Sequence, residues 1–72
     1  MQVEVKVLSG LIRAAGGPVE VADGANGMDV LCAMGVERTQ SIIMIVNGRR
    51  RDLTTQVMDG DKIHFMTPLA GG

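Results

Sequence analysis

Asp59-Gly60-Asp61-Lys62-Ile63-His64-Phe65-Met66-Thr67, followed by Pro68-Leu69-Ala70-Gly71-Gly72, is the stretch on which the reading of this 72-residue sequence turns. Asp-Gly-Asp marks a tight turn, because glycine and aspartate tolerate turn backbone that other residues resist. In the six residues after it, the apolar Ile63 and Phe65 alternate with Lys62 and His64, the period of a strand with two different faces. Pro68 lacks an N–H and ends regular pairing, so Leu69-Ala70-Gly71-Gly72 is expected to hang off the last strand as a tail. A rigid strand leading into a slight tail is the design to explain.

Upstream of that turn, Asn47-Gly48 is the strongest short-range hairpin signal a sequence carries. The run from Gln40 to Val46 is rich in isoleucine and too short for a typical helix, and predicts a central strand covered on both faces. Its return strand is short and polar, from Arg49-Arg50-Arg51 to Leu53. At the other end of the chain, Val3, Val5 and Val7 alternate with Gln2, Glu4 and Lys6 as a first strand. Residues 9–18 carry glycine at both ends and predict a loop with at most one helical turn, and Val19-Glu20-Val21 predicts a short second strand. Asn26 or Asp23 is a suitable cap for a helix over Met28 to Met34. Its expected apolar stripe is Met28, Leu31 and Met34, with Val30 and Cys32, and Gly35 suits the position after the helix. The order is strand, strand, helix, strand, short strand, strand. The fold class is α+β: one helix must cover one face of a mixed sheet, and the long first and last strands suit central positions.

Composition narrows the function. Seven Lys+Arg against eight Asp+Glu leave a formal charge of −1, which argues against a partner recognised by its nucleic-acid phosphates. A hydrophobic content of 46% argues against disorder. A single domain of this length has a marginal core and little room for a deep catalytic cavity. Single Cys and His residues provide neither an internal disulfide nor a four-ligand zinc centre, and no metal site is expected. Charges within Met1-Gln2-Val3-Glu4-Val5-Lys6 lie where a signal peptide places its apolar stretch. The longest apolar run, from Ile42 to Val46, is far short of the roughly 20 residues of a membrane helix. A cytoplasmic location, without a membrane partner, is the default expectation.

The terminal Gly71-Gly72 has two readings. One is a frayed, glycine-rich end. The other is chemical: an ATP-using enzyme can convert a terminal carboxylate to an acyl-adenylate, from which sulfide, a thiol or an amine displaces AMP. Glycine suits that end because no Cβ blocks a narrow channel or shields the carbonyl. Pro68 stiffens the exit and Leu69 offers an apolar anchor.

Val46-Asn47-Gly48, Asp59-Gly60-Asp61-Lys62-Ile63 and Phe65-Met66-Thr67-Pro68-Leu69-Ala70-Gly71-Gly72 together resemble the ubiquitin-like β-grasp sulfur carriers. These include the small subunit of molybdopterin synthase and the sulfur carrier of thiamine biosynthesis. Val5-Lys6-Val7-Leu8 followed by Leu11-Ile12-Arg13 is similar to the family's first strand and short helical turn, and Asp23-Gly24-Ala25 leading to Met28-Asp29-Val30-Leu31 to its entry into the main helix. The resemblance therefore covers nearly the whole chain. It implies a β-grasp domain over residues 1–67, with four to five strands on one main helix, and a flexible tail over 68–72.

The resemblance also implies a mechanism. An E1-like adenylyltransferase would activate the Gly72 carboxylate with ATP, and a sulfur donor would leave a thiocarboxylate there. Pro68, Leu69, Ala70 and Gly71 would thread the active site of a larger synthase subunit. The protein would bind no cofactor and supply no catalytic side chain, in keeping with a sequence that lacks nucleophile–base sets. The proline-containing tail favours the molybdopterin branch, with thiamine thiazole formation next. Met66-Thr67 depart from the family, in which aromatic or proline residues are frequent there. A protein modifier using the same activated glycine is an alternative. So is a nucleotide- or RNA-binding β-grasp module, although the lack of Trp and Tyr counts against it.

Other residues invite simpler readings. Cys32, amid apolar neighbours, is expected to be a buried and inert hydrophobe. His64 alternates with Ile63 and Phe65 and is expected on the solvated or partner-facing side. Arg49, Arg50 and Arg51 serve either as a charged edge that blocks strand pairing or as a docking patch for an acidic surface. Phe65 and Met66 are further docking candidates. Met44 or Met66, if exposed, would join an adaptable apolar patch.

Overall fold

The structure, a computed structural model, describes residues 1–7, 16–36 and 42–67. Among the described residues, five strands and one helix follow the expected order: β1 (Gln2–Val7), β2 (Gly17–Glu20), α1 (Gly27–Ala33), β3 (Ile43–Val46), β4 (Arg49–Arg51) and β5 (Lys62–Met66). They form one mixed sheet of order β2-β1-β5-β3-β4, in which β1 and β5 are parallel and the other pairs antiparallel. The alternating apolar residues of β1 and β5 drive this arrangement. Val3, Val5, Ile63 and Phe65 are all buried, and only central strands beside a covering helix bury one face so completely. A mixed sheet with first and last strands side by side and one helix across it is the expected β-grasp arrangement.

Helix α1 starts where its cap dictates. The Asn26 side chain accepts from the Asp29 N–H at 3.0 Å, and the Asp29 carboxylate accepts from the Asn26 N–H at 2.9 Å. This reciprocal box satisfies two donors that the first helical turn leaves open. The helix closes at Met34, and Gly35 follows it with φ 81°.

Its buried stripe differs from expectation by one position. Gly27, Val30 and Leu31 are buried and Met34 half-buried, whereas Met28 is 43% exposed and Cys32 is exposed. The spacing i, i+3, i+4, i+7 is that of a packed helix face, but it begins at a glycine that carries no hydropathy signal. A Cβ at Gly27 would lie 2.5 Å from the Met44 sulfur and 3.1 Å from the Leu53 carbonyl oxygen. The missing side chain is what lets the helix approach the sheet. Cys32 is therefore no core hydrophobe: it follows Leu31 by 100° around the helix and leaves the covered face.

Other bounds move too. β2 begins at Gly17, two residues before the expected Val19, because Val5 pairs with Gly17 and Glu4 with Pro18. β3 is next to the edge, and only Met44 is fully buried on it, so the expected cover on both faces is replaced by cover on one. The segment after β4 contributes to the core without being a strand. Val57 is 1% exposed, and its N–H donates to the Ala25 carbonyl at 2.9 Å, while the Met28 N–H donates to the Leu53 carbonyl at 3.1 Å. Residues 53–57 thus hold the start of α1 over β3. The expected helical turn within residues 9–18 falls largely outside the described residues, as does the tail at 68–72. Among the described residues, no helix is long and apolar enough to cross a membrane.

Candidate functional site

The two turn motifs that stand out in the sequence meet in space. Asn47 has φ 51° and Gly48 φ 85°, the left-handed pair that a two-residue hairpin between twisted strands requires. The Asn47 amide then bridges to the other motif: its Nδ2 donates to Asp61 Oδ1 at 2.9 Å, and its Oδ1 accepts from the Lys62 N–H at 3.0 Å. The Asn47 N–H donates to the Lys62 carbonyl at 2.8 Å. Asp61 Oδ2 accepts from the Met58 N–H, and Asp59 Oδ1 from the Gln2 N–H. These carboxylates and this amide are structural clips. They fix the start of β5 against β1 and β3, and so set the line along which the chain leaves the sheet.

β5 is hydrogen-bonded on both sides, to β1 through Lys62–Phe65 and to β3 through Ile63–Met66. Its last residue, Met66, pairs with Ile43. Alternation sends Ile63 and Phe65 under the helix and leaves His64 and Met66 half-buried on the opposite face. Phe65 is 0% exposed, so it is core and is withdrawn from the docking candidates; an alternating strand cannot present both Phe65 and Met66 to one partner.

Met66 is joined on the outer face by residues the sequence alone did not single out as a surface. Ile43 pairs with Met66, Ile45 pairs with His64, and all four are half-buried. They form an apolar strip, with His64 in it, that runs to the point where the chain continues toward 68–72. The signal was present in the sequence, since Ile43 and Ile45 alternate with Met44, but a strand assumed to be covered on both faces hides it. Met44 itself is buried and does not join the strip.

The three arginines do not act as one patch. Arg49 and Arg51 pair with Val46 and Met44 and so face the helix side, whereas Arg50 pairs with Ile45 and faces outward beside the apolar strip. All three are exposed. Among the described residues, no group of three or more His, Cys, Asp or Glu side chains could hold a metal ion. Pro68, Leu69, Ala70, Gly71 and Gly72 lie outside the described residues.

Three solved structures share this architecture. SAMP1 from Haloferax volcanii superposes with a TM-score of 0.72 at 20% identity, covering 100% of both chains. A second crystal structure, of the H. volcanii small archaeal modifier protein 1, gives 0.71 at 19% identity, covering 94% of this chain and 98% of that one. A Caldiarchaeum subterraneum ubiquitin gives 0.58 at 25% identity, covering 100% of both. No protein-family model matches the sequence, and no curated protein matches it. The chain has the ubiquitin-like β-grasp fold.

Proposed function

We propose that this chain is a small β-grasp carrier whose reactive group is the carboxylate of Gly72. The observation that carries this reading is the setting of β5. It is a central strand clipped at its start, flanked by an apolar strip at its end, and followed in sequence by Pro68-Leu69-Ala70-Gly71-Gly72. A partner that docks on Ile43, Ile45, His64 and Met66 would meet residues 68–72 at the rim of its own active site. In the carrier reaction, the Gly72 carboxylate attacks the α-phosphorus of ATP bound to an E1-like enzyme, and pyrophosphate leaves. Sulfide then displaces AMP from the acyl-adenylate, leaving a thiocarboxylate for a second enzyme to use. Molybdopterin formation is the favoured destination, by the resemblance of the tail, and thiamine thiazole formation the next.

A second reading has its own support. The similar structures include two of a small archaeal modifier protein and one of a ubiquitin, which favours transfer of the same activated glycine to a lysine amine. One experiment separates the two. The protein is incubated with ATP, sulfide and the E1-like enzyme of its host, and its intact mass is recorded beside a search for lysine conjugates. Replacement of one oxygen by sulfur in the C-terminal peptide, lost on deletion of Gly72, is the carrier outcome. Conjugates without sulfur exchange indicate the modifier, and neither product overturns both readings. Gly71→Val should leave folding intact and block either reaction.

A further inference from the structure

A cleft of about 410 Å3 opens between the β3–β4 hairpin and the segment 55–61. Arg49 and Arg51 line one wall and Thr55 and Gln56 the other, with Val46 and Met58 as its apolar surface. Asn47 and Asp61 close one end, but their polar atoms are already spent on each other, on Lys62 and on Met58. Asp61, the one acidic side chain among the described residues lining the cleft, keeps a charge that the two arginines outweigh, and its oxygens are occupied by the clip. The two guanidinium groups are not: the ion pair found among the described residues joins the Met1 amine to Asp23, far from either arginine in sequence.

We infer that this cleft receives an acidic segment of a partner protein, with two carboxylate side chains engaging Arg49 and Arg51 and an apolar residue resting on Met58. Spacing and chemistry both support that occupant. Arg49 and Arg51 are two apart on one strand face, so their side chains emerge parallel, about 7 Å apart along the strand. An extended peptide with acidic residues at i and i+2 repeats that spacing. Guanidinium forks match carboxylates in a two-bond geometry. Met58, 67% exposed, is one of two large hydrophobic side chains left open among the described residues, and it lines this cleft. A nucleotide fits less well, because the one aromatic residue of the chain, Phe65, is buried under the helix and leaves no ring for a base to stack on.

The cleft is set apart from the end of β5. The cleft sits at the Lys62 end of β5, and the chain leaves β5 at Met66, about 13 Å further along the strand. The inference stands whether or not Gly72 is activated.

The test is titration of the full-length, isotope-labelled protein with an acetylated peptide containing Glu-Leu-Glu, followed by amide chemical shifts at low salt. Saturable shifts at Asn47–Arg51 and 55–58, with β1 and β2 unmoved, are expected. Arg49→Glu with Arg51→Glu should weaken binding at least about tenfold and Arg50→Glu less than about twofold, since only the first pair faces the cleft. A Gln-Leu-Gln peptide should produce no shifts there. Circular dichroism of each variant verifies the fold. Shifts centred elsewhere, equal sensitivity to Arg50→Glu, or stronger binding of AMP or a short RNA at the same residues would each overturn the proposal.

Discussion

Strands β1 and β5 lie side by side in parallel and bury the same kind of side chain inward, yet they present opposite surfaces outward. Inward, Val3 and Val5 match Ile63 and Phe65, all at most 2% exposed. Outward, β1 shows Gln2, Glu4 and Lys6 to solvent, whereas β5 after its exposed Lys62 shows His64 and Met66, and its neighbour β3 shows Ile43 and Ile45. The inner agreement is a requirement of folding, because a sheet under one short helix has only that face with which to exclude water. Nothing in folding requires the outer difference. An open sheet face commonly carries charge, as that of β1 does; under the proposed function, the apolar strip at the end of β5 is the surface that a partner would cover.

The strongest way to break this contrast is on the inner side. Phe65→Ala should cost about 3–5 kcal/mol by emptying the centre of the core, a large share of the stability of so small a domain. Urea unfolding would show the midpoint falling or the transition vanishing. Gly27→Ala should cost about 1–3 kcal/mol, read in the same way, because its Cβ would push the buried Met44 side chain out of its packing and crowd the Leu53 carbonyl oxygen. Asn47→Gly keeps the left-handed turn but removes the amide clip and adds unfolded-chain entropy, and should cost about 1–2 kcal/mol. Little or no loss there would mean that the clip does not hold the start of β5.

The outer side should respond differently. Ile45→Lys and Met66→Lys should each change stability by about 1 kcal/mol or less. Under the proposed function, both should nevertheless depress activation of Gly72, measured as sulfur exchange or conjugate yield with the E1-like enzyme. Lys6→Ala, on the charged half of the same face, should alter neither stability nor activation beyond about 0.5 kcal/mol. Equal loss of activation from Lys6→Ala and Ile45→Lys would erase the distinction between the two halves.

Much of this was legible in one dimension. Alternation is local, so β1 and β5 could be read directly as strands, and Asn26, one of two candidate caps, starts α1 through a contact three residues long. Asn47-Gly48 and Asp59-Gly60-Asp61 were readable as turns for the same reason. Their partnership was not, because a hydrogen bond spanning 14 residues leaves no periodic trace. Phe65 and Met66 look alike as docking candidates until the strand's phase is tied to the helix side. Cys32 and the true stripe of α1 escaped because the decisive residue, Gly27, acts through the side chain it lacks.

The sequence by itself determined the main elements and their order, since both depend on residue type and near neighbours. Only the tertiary structure decided which apolar residues are core and which are surface, that Val57 is buried without belonging to a strand, and that Arg49 and Arg51 share a cleft that Arg50 does not. Those outcomes depend on which face the helix covers and where a distant segment crosses it. Packing settles both, through close approaches such as Gly27 against Met44 that no local pattern encodes.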